Sequence, residues 1–321
     1  MSEIRLLTTQ DAEEWESALP ASRSAFGSLG FARVQEIAGD AIARLLVSEG
    51  TVTPLLLRPI TGSELYDAAT PPFTGPIGPG VATNLAAQGI VTEFDHIHPW
   101  NAAAPPEAEA DREIVWVDTS REPEQLRRES FTKAARKNLR RSGEEGVTVY
   151  EAESAADVAE FHRIYIQTME RTDALRPYFF GEDFFQAIFE QMPDSARFLL
   201  AAREGAVVAA TLYLHDTDNA YSYLGGADHA HQQVRPTNAI VTHAIERAHA
   251  EGRKRLILGG GYTPGDGIFR FKASFSPLRA TLQLARRIHR PEDFDRLAAD
   301  WRERNPGIEA TGFFPPWRQP A

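Results

Sequence analysis

Cysteine is missing from all 321 residues of the chain. Its absence excludes disulfide bonds, thiolate catalysis, and the zinc and iron–sulfur sites that depend on cysteine ligands. Long apolar runs are missing as well, since no stretch approaches the ~18 consecutive apolar residues of a membrane-spanning helix. Residues 1–5 lack the apolar segment of a secretion signal. We therefore expect a cytoplasmic protein with no membrane span.

Positive charge is scarce, because 34 lysine and arginine residues stand against 45 aspartate and glutamate residues and give a net charge of −11. This balance argues against a general phosphate-binding surface and leaves room only for a local basic patch. Hydrophobic residues make up 42% of the chain and charged residues 25%, which is typical of a soluble globular protein. The length favours two domains, since one domain usually holds ~100–200 residues.

Hydrophobic periodicity and turn residues predict alternating strands and helices. The predicted strands are residues 4–8, 41–47, 51–57, 90–97, 114–117, 147–150, 197–202, 207–215, 220–224, 255–258 and 279–288. The predicted helices are residues 11–18, 29–38, 155–172, 182–191, 236–250 and 292–302. This order indicates an α/β fold with layered domains. We place the boundary after a basic helix, which gives an N-terminal domain of residues 1–145 and a C-terminal catalytic domain of residues 146–321.

Two segments of the first half read as loops. Residues 70–80 are rich in proline and glycine, which favour neither a helix nor a central strand, because proline lacks a backbone donor and glycine has no side chain to pack. This shaped loop carries the aromatic residue Phe73. Residues 101–112, with their alanine, proline and glutamate, are predicted to form an exposed connector.

Residues 127–141 form the densest basic stretch of the chain. On a helix, one face carries Lys133, Arg136, Lys137, Arg140 and Arg141, while Phe131, Ala135 and Leu139 lie opposite. Like charges four residues apart cost ~0.2–0.5 kcal/mol per pair, so the face favours an anionic partner such as phosphate. The alternative is a solvated helix whose cations pair with acidic residues elsewhere.

A glycine-rich loop follows the apolar strand at residues 255–258. The loop and the aromatic and basic turn after it contain Gly260, Gly261, Tyr262, Asp266, Arg270, Phe271 and Lys272. Loops at the carboxyl ends of such strands bind ligands in α/β folds, and apolar walls strengthen the field of a cation. The spacing fits neither a P-loop nor a dinucleotide-binding fingerprint. The alternative is a long turn with Lys272 in water.

Histidine pairs give no specific metal signal. His96 with His98, and His229 with His231, have a spacing that suits metal ligation, but no third ligand accompanies either pair at a recognisable spacing. Motifs for a serine nucleophile elbow or a zinc protease are also missing from the sequence. We therefore predict no metal and no cofactor.

Several motifs follow one another in order along residues 40–285. They are Tyr66-Asp67, Phe73-Thr74-Gly75-Pro76, Phe94-Asp95-His96-Ile97-His98-Pro99, the basic helix, Tyr223-Leu224-Gly225-Gly226, Leu256-Ile257-Leu258-Gly259-Gly260 and the run from Asp266 to Phe275. The series resembles the FemABX family, whose members move an amino acid from aminoacyl-tRNA to an amine of a peptidoglycan precursor. More broadly, it is similar to the FemAB-related branch of the GNAT acyltransferases.

The resemblance implies two tandem GNAT-like domains with mixed central sheets flanked by helices. It assigns catalysis to Lys272, as the charge that stabilises the reacting carbonyl, and to Phe271. The implied substrate-binding residues are Asp67, Phe73, His98, Tyr223, Arg235, Gly260, Gly261, Tyr262, Asp266 and Arg270. The implied phosphate-binding residues are Lys133, Arg136, Lys137 and Arg140.

The chain departs from the family pattern at two positions. His98 stands where the family usually has an acidic residue, and Ile257 replaces an aspartate near the glycine pair. Asp67 and His98 are the candidates for a general base. The helical hairpin that some members insert in the second domain has no room here, so the resemblance confines tRNA contact to the acceptor end.

The start of the helix at residues 236–250 bears on whether the acyl donor is acetyl-CoA or aminoacyl-tRNA. Ordinary GNAT enzymes bind the pyrophosphate of acetyl-CoA through glycine-rich N–H donors there. Residues 231–238 contain no glycine, and Pro236 removes one donor. This weakens the acyl-CoA interpretation, and the resemblance then implies a monomeric aminoacyltransferase that moves an amino acid from aminoacyl-tRNA to an amine of a nucleotide-linked precursor, peptide or metabolite. The alternatives are an acyl-CoA-dependent N-acyltransferase acting on an amino sugar or small amine, and a non-catalytic binding scaffold.

Overall fold

The computed structural model describes residues 4–21, 23–39, 41–48, 50–78, 84–101, 104–308 and 313–319. The chain forms two compact units, the first from residues 1–111 and 282–321 and the second from residues 112–281. This division differs from the predicted boundary after residue 145. The basic helix belongs to the second unit, and the C-terminal forty residues return to the first.

The elements follow in chain order. The strands are β1 (Arg5–Leu7), β2 (Ile42–Ser48), β3 (Thr51–Pro59), β4 (Tyr66–Ala69), β5 (Ile90–Ile97), β6 (Glu109–Asp118), β7 (Thr148–Glu151), β8 (Ala196–Arg203), β9 (Ala206–His215), β10 (Asn219–Ala227), β11 (Arg255–Gly259) and β12 (Arg279–Ile288). The helices are α1 (Ala12–Ala18), α2 (Leu29–Ala38), α3 (Pro123–Glu129), α4 (Lys133–Glu144), α5 (Ala155–Arg171), α6 (Glu182–Gln191), α7 (Pro236–Ala250), α8 (Gly267–Ala273) and α9 (Pro291–Arg304).

The first unit is built on a sheet in the order β1-β2-β3-β4-β5-β12. Its neighbours are antiparallel except for the parallel pair β4 and β5. Leu45 and Leu46 are consecutive residues of β2, so they point to opposite faces of the sheet. Leu45 packs with Trp15 of α1, and Leu46 packs with a second apolar group that includes Ile90. Both faces of this sheet are therefore covered.

The second unit is built on a sheet in the order β6-β11-β10-β9-β8-β7. Here too the neighbours are antiparallel except for one parallel pair, β10 and β11. Helix α7 covers one face, where Ile240 and Ile245 pack with Leu256 and Leu258. Aromatic side chains cover the other face, with Phe161 of α5 lying 5.0 Å from Phe198 of β8 between ring centroids.

The two sheets repeat one topology. Strands β1 to β5, and likewise β7 to β11, form three antiparallel pairs followed by a parallel pair. The sixth strand of each sheet does not come from the same stretch of the chain as the other five. Strand β6 follows β5 in sequence but completes the second sheet beside β11, whereas β12 follows β11 but completes the first sheet beside β5. The exchange explains why the chain has to return to the first unit.

Four elements differ from the sequence prediction, and one of them is β6, which begins at Glu109 inside the predicted connector. Strand β4 was not predicted, and α8 is a helix where we expected a turn. The basic segment is broken at residues 130–132 into α3 and α4, because the hydroxyl of Thr132 caps a new helix by accepting a hydrogen bond from the N–H of Ala135 at 3.2 Å. No helix within the described ranges is long and apolar enough to cross a bilayer.

Candidate functional site

The glycine-rich loop at the end of β11 is fixed by contacts that leave no room for side chains. Gly259 has a left-handed backbone with φ of +81°, and a Cβ placed on it would lie 3.3 Å from Nζ of Lys272. A Cβ on Gly261 would lie only 2.3 Å from Oδ1 of Asp266. These glycines are therefore required for the close approach of the loop to Lys272 and Asp266.

Asp266 holds the loop and begins α8. Its Oδ2 accepts hydrogen bonds from the N–H groups of Tyr262 at 2.6 Å and Thr263 at 3.0 Å, and its Oδ1 accepts one from Phe269 at 2.7 Å. The bonds from the Phe269 and Thr263 amides hold the pKa of this carboxyl below its usual value. Asp266 was predicted to bind substrate, but all three of these contacts are internal, and they make it the N-cap of α8.

Lys272 lies on α8 with its amine turned back towards the loop. Nζ donates a hydrogen bond to the carbonyl of Gly260 at 2.7 Å. Burial lowers the pKa of Lys272 to about 8, and the attraction of Asp266 opposes that shift. Within the described ranges, no carboxylate forms an ion pair with this amine. Lys272 is therefore a half-buried cation that no carboxylate of the described residues neutralises by contact, and burial makes it lose its proton more readily than an ordinary lysine.

Phe271 anchors α8 to the domain core. Its ring centroid lies 5.2 Å from that of Phe275, which in turn lies 5.2 Å from Phe131. The N–H of Thr132 also donates to the carbonyl of Ser274 at 2.8 Å. Because Phe131 and Thr132 immediately precede α4, these contacts fix the start of the basic helix beside the end of α8.

The four predicted phosphate-binding residues of α4 have different surroundings. Arg136 donates from Nη1 to the carbonyls of Phe131 and Arg128, so its guanidinium group caps the end of α3. Arg140 lies 3.5 Å from Glu144 in an exposed ion pair. Lys133 and Lys137 are exposed and have no ion pair or side-chain hydrogen bond in the described part of the chain. These two lysines keep their full charge for an anionic partner.

Tyr223 marks an irregularity in β10. The pairing of β10 with β9 shifts between Ser222 and Leu224, so Tyr223 is the extra residue of a β-bulge. Burial raises the pKa of the Tyr223 hydroxyl, and the nearby Tyr165 and Tyr178 raise it further. The parallel pairing of β10 with β11 covers only residues 219–221 and 255–257. Beyond that point β10 follows β9 and β11 enters the glycine-rich loop.

Arg235 occupies the residue before α7. Its backbone is left-handed, with φ of 59°, and its carbonyl accepts a hydrogen bond from the N–H of Asn238 at 3.1 Å. Pro236 is the first residue of the helix and has no N–H. The side chain of Arg235 is exposed. The start of α7 thus offers an exposed cation and one backbone donor fewer than usual.

Two further residues that were predicted to bind substrate lie on the outside of the glycine-rich loop. Tyr262 is 71% exposed. Arg270 is also exposed and donates from Nη1 to the carbonyl of Gly265 at 2.6 Å. The loop therefore brings Gly260, Gly261, Asp266 and Lys272 together, while Tyr262 extends into solvent.

Asp67, Phe73 and His98 belong to the first unit. The carboxylate of Asp67 is fully buried and accepts from Nε of Arg318 at 2.7 Å and Nε1 of Trp317 at 3.2 Å. Its other oxygen lies 2.6 Å from Nη2 of Arg58. This geometry gives Asp67 a structural role in fastening the C-terminal segment, so it does not support the hypothesis of a general base there.

Phe73 and His98 are brought together by the structure. Their ring centroids lie 6.4 Å apart in an edge-on contact, and Phe73 also lies 5.8 Å from Phe26. Nδ1 of His98 accepts a hydrogen bond from the N–H of Trp100 at 3.2 Å. This arrangement is an aromatic cluster of the first unit.

Comparisons with known proteins identify a domain within the second unit and a fold that extends over most of the chain. Residues 127–273 match the family model described as an acetyltransferase (GNAT) domain, and this stretch includes α4, β10, β11 and Lys272. The crystal structure of FemX has a TM-score of 0.63 at 12% identity, covering 87% of this chain and 96% of FemX. The fold is that of the FemX-like GNAT acyltransferases. No curated protein shows significant sequence similarity to the chain.

Two other structures extend the comparison. The C-terminal domain of a putative lysylphosphatidylglycerol synthetase from Agrobacterium fabrum has a TM-score of 0.56 at 15% identity, covering 88% of this chain and 93% of that domain. A tandem GNAT protein from the clavulanic acid biosynthesis pathway has a TM-score of 0.50 at 11% identity, covering 89% and 98%. The predicted FemABX-like fold and tandem GNAT architecture are thereby confirmed, and the GNAT domain model over residues 127–273 agrees with the predicted acyltransferase class.

Sequence reasoning missed the residues that support the GNAT site. Thr132 and Ser274 join α4 to α8 across 142 positions of sequence, and no local pattern reveals such a pair. The role of Asp266 had a local signal, because an aspartate three residues before an apolar helical position is typical of an N-cap.

Proposed function

We propose that this acyltransferase moves an aminoacyl group from aminoacyl-tRNA to the amine of a nucleotide-linked peptidoglycan precursor, a peptide or a small metabolite, and forms an amide. The observation that carries the proposal is the half-buried ammonium of Lys272 on the carbonyl of Gly260. A half-buried cation with no contacting carboxylate among the described residues is suited to stabilise charge that develops on a substrate oxygen.

In the proposed reaction, the neutral amine of the acceptor attacks the ester carbonyl of the donor. The new bond joins the amine nitrogen to the carbonyl carbon, and negative charge builds on the carbonyl oxygen, where Lys272 stabilises it. The bond to the ribose oxygen then breaks, and the proton lost by the amine ends on that oxygen. Removal of one such stabilising donor typically costs a factor of 10²–10³ in rate.

Two features of the second unit support aminoacyl-tRNA as the donor: the start of α7 and the exposed lysines of α4. Pro236 reduces the number of backbone donors at the start of α7, which weakens the case for a pyrophosphate there. Lys133 and Lys137 on α4 have no ion pair with the residues that the structure describes, and the start of α4 is fixed to the end of α8. Two unpaired lysines suit the phosphates of a tRNA acceptor end, and such limited contact agrees with the net charge of −11.

An acyl-CoA donor is the second candidate. It is favoured by the family model, which is described as an acetyltransferase domain and covers residues 127–273. Under this alternative, Lys272 keeps the same role, and the bond that breaks is a thioester instead of a ribose ester. Binding of the donor therefore distinguishes the two candidates better than the chemistry does.

The test is incubation of the protein with a pool of charged tRNAs and candidate amines, followed by mass spectrometry of the products, in parallel with acetyl-CoA. We expect a new amide only in the charged-tRNA reactions. Lys272→Met should reduce turnover by ~10²–10³. Lys254→Met is the matched control, since Lys254 is an exposed lysine of the same unit that pairs with Asp218. Amide formation from acetyl-CoA alone would contradict the proposed donor, and full activity of Lys272→Met would contradict its role.

A further inference from the structure

A small cavity in the second unit lies between the C-terminal half of α7 and strands β7 to β10. Its volume is about 20 Å³. His215, the last residue of β9, lines it and is 4% exposed. Its Nε2 is buried and has no hydrogen-bond partner in the described part of the chain. A buried polar atom without a partner costs ~1–3 kcal/mol, so a bound species that contacts this nitrogen would stabilise the fold.

The charges around the cavity favour an anion. Three guanidinium groups line it, from Arg197, Arg247 and Arg253, against two carboxylates, Glu151 and Glu251. Arg197 lies 2.9 Å from Glu151, and Arg247 and Arg253 each lie 3.0 Å from Glu251. Two carboxylates are thus shared among three cations, and one positive charge is left over.

Burial and the surrounding positive charge keep the imidazole ring of His215 neutral. Burial lowers the pKa of His215 to about 3, and the three guanidinium groups lower it further in the same direction. The ring is therefore neutral, and one of its nitrogens carries a proton that it can donate. A donor in a positive field is suited to an anion and ill suited to a cation.

The size of the cavity selects among anions. A space of ~10–15 Å³ holds one water molecule, so about 20 Å³ admits a single water-sized or slightly larger sphere. A tetrahedral oxyanion such as phosphate is larger than such a sphere. Water would satisfy His215 but would leave the excess charge in place. We propose that this cavity binds one monatomic halide ion, held by His215 and the surrounding guanidinium groups.

Halide binding would join the end of α7 to β8 and β9. Since the ion binds only the folded state, it raises stability by mass action. We expect the melting temperature to be about 2–4 °C higher in sodium bromide than in sodium gluconate at equal ionic strength. Equal ionic strength is needed because the exposed ion pairs also respond to salt.

Two variants isolate the site. Arg247→Gln removes the excess charge at the cavity and should abolish the difference between the two salts. Arg171→Gln, which changes an exposed arginine of the same unit that lies outside the cavity, should keep the difference. His215→Leu should also abolish it, and Arg247→Gln decides the matter if His215→Leu does not fold.

Crystals soaked in sodium bromide provide the direct test. An anomalous peak beside Nε2 of His215, absent in Arg247→Gln, would support the proposal. A water at that position without anomalous signal, together with equal melting temperatures in the two salts, would overturn it. A peak in the crystal that has no counterpart in the melting temperatures would show an adventitious ion only, and it would overturn the proposal as well.

Discussion

The two units share a strand order but differ in how their charged residues are paired. In the first unit the buried carboxylates are locked in ion pairs, with Asp67 held by Arg58 and Arg318, and Asp95 held by Arg287 at 2.7 Å. In the second unit Nζ of Lys272 donates to the carbonyl of Gly260 and has no ion pair with any residue that the structure describes. Paired charges hold a structure together, whereas an unpaired buried charge is available for a substrate.

The parallel strands of the two units are also connected differently. In the second unit, β10 and β11 are joined through α7, which places a helix start close to the end of β10. In the first unit, the connection from β4 to β5 runs through the proline- and glycine-rich loop with Phe73, part of which lies outside the described residues. The same strand order therefore carries the glycine-rich loop with Lys272 in the second unit and aromatic packing around Phe73 in the first.

The largest effect should come from breaking the ion pairs of the first unit. Asp67→Ala leaves Arg58 and Arg318 without their buried partner, so we expect the free energy of unfolding to fall by about 3 kcal/mol. Glu14→Ala, which breaks the exposed Arg5–Glu14 pair of the same unit, should cost less than about 1 kcal/mol. Chemical denaturation measures both. A loss of activity in Asp67→Ala without a loss of stability would show that Asp67 serves turnover and not the fold.

In the second unit, the loop geometry should matter for turnover. Gly261→Ala places a Cβ within 2.3 Å of Oδ1 of Asp266, which displaces the cap that orders the loop around Lys272. A misplacement of ~1 Å in a catalytic arrangement can cost about a hundredfold in rate, and we expect a loss of that size. Gly143→Ala is the matched control, because its Cβ would meet nothing within 4 Å. Equal kcat values for the two variants would show that the loop does not position Lys272.

The pH dependence of turnover should reveal the unpaired lysine. Burial lowers the pKa of Lys272 to about 8, so its ammonium form is lost as pH rises through that value. If the charge stabilises the transition state, kcat should fall about tenfold per pH unit well above pH 8. Lys272→Arg remains charged throughout, so its residual activity should lack this alkaline decline. The same decline in Lys272→Arg would assign it to another group.

Local sequence patterns predicted much of the second unit. The helix at residues 236–250 was placed correctly, because Pro236 marks its start and apolar residues recur at helical spacing. Helix α8 was missed, because its glycine, isoleucine and two phenylalanines have weak helix propensity, and tertiary contacts of Phe271 and Phe275 stabilise it instead.

The structural role of Asp67 could not be read from the sequence. Its partner Arg318 lies 251 positions away along the chain. A charged residue in an apolar strand suggests either function or a buried ion pair, and the sequence does not contain the information that decides between them. The same holds for Glu93, which pairs with Arg287 and His289 from β12 and its end. Long-range pairing is a property of the folded topology.

The smallest effect should come from the exposed lysines of α4. Lys133→Gln with Lys137→Gln removes two unpaired charges from a surface that we propose contacts tRNA phosphates, so binding of charged tRNA should weaken and the slope of log affinity against log salt should fall by about 1–2. The value of kcat at saturating tRNA should stay unchanged, since neither residue takes part in the chemistry. Arg140→Gln should have less effect on the slope, because Glu144 already offsets that charge. A double variant with the salt dependence of the wild type would remove α4 from the proposed interface while leaving the role of Lys272 intact.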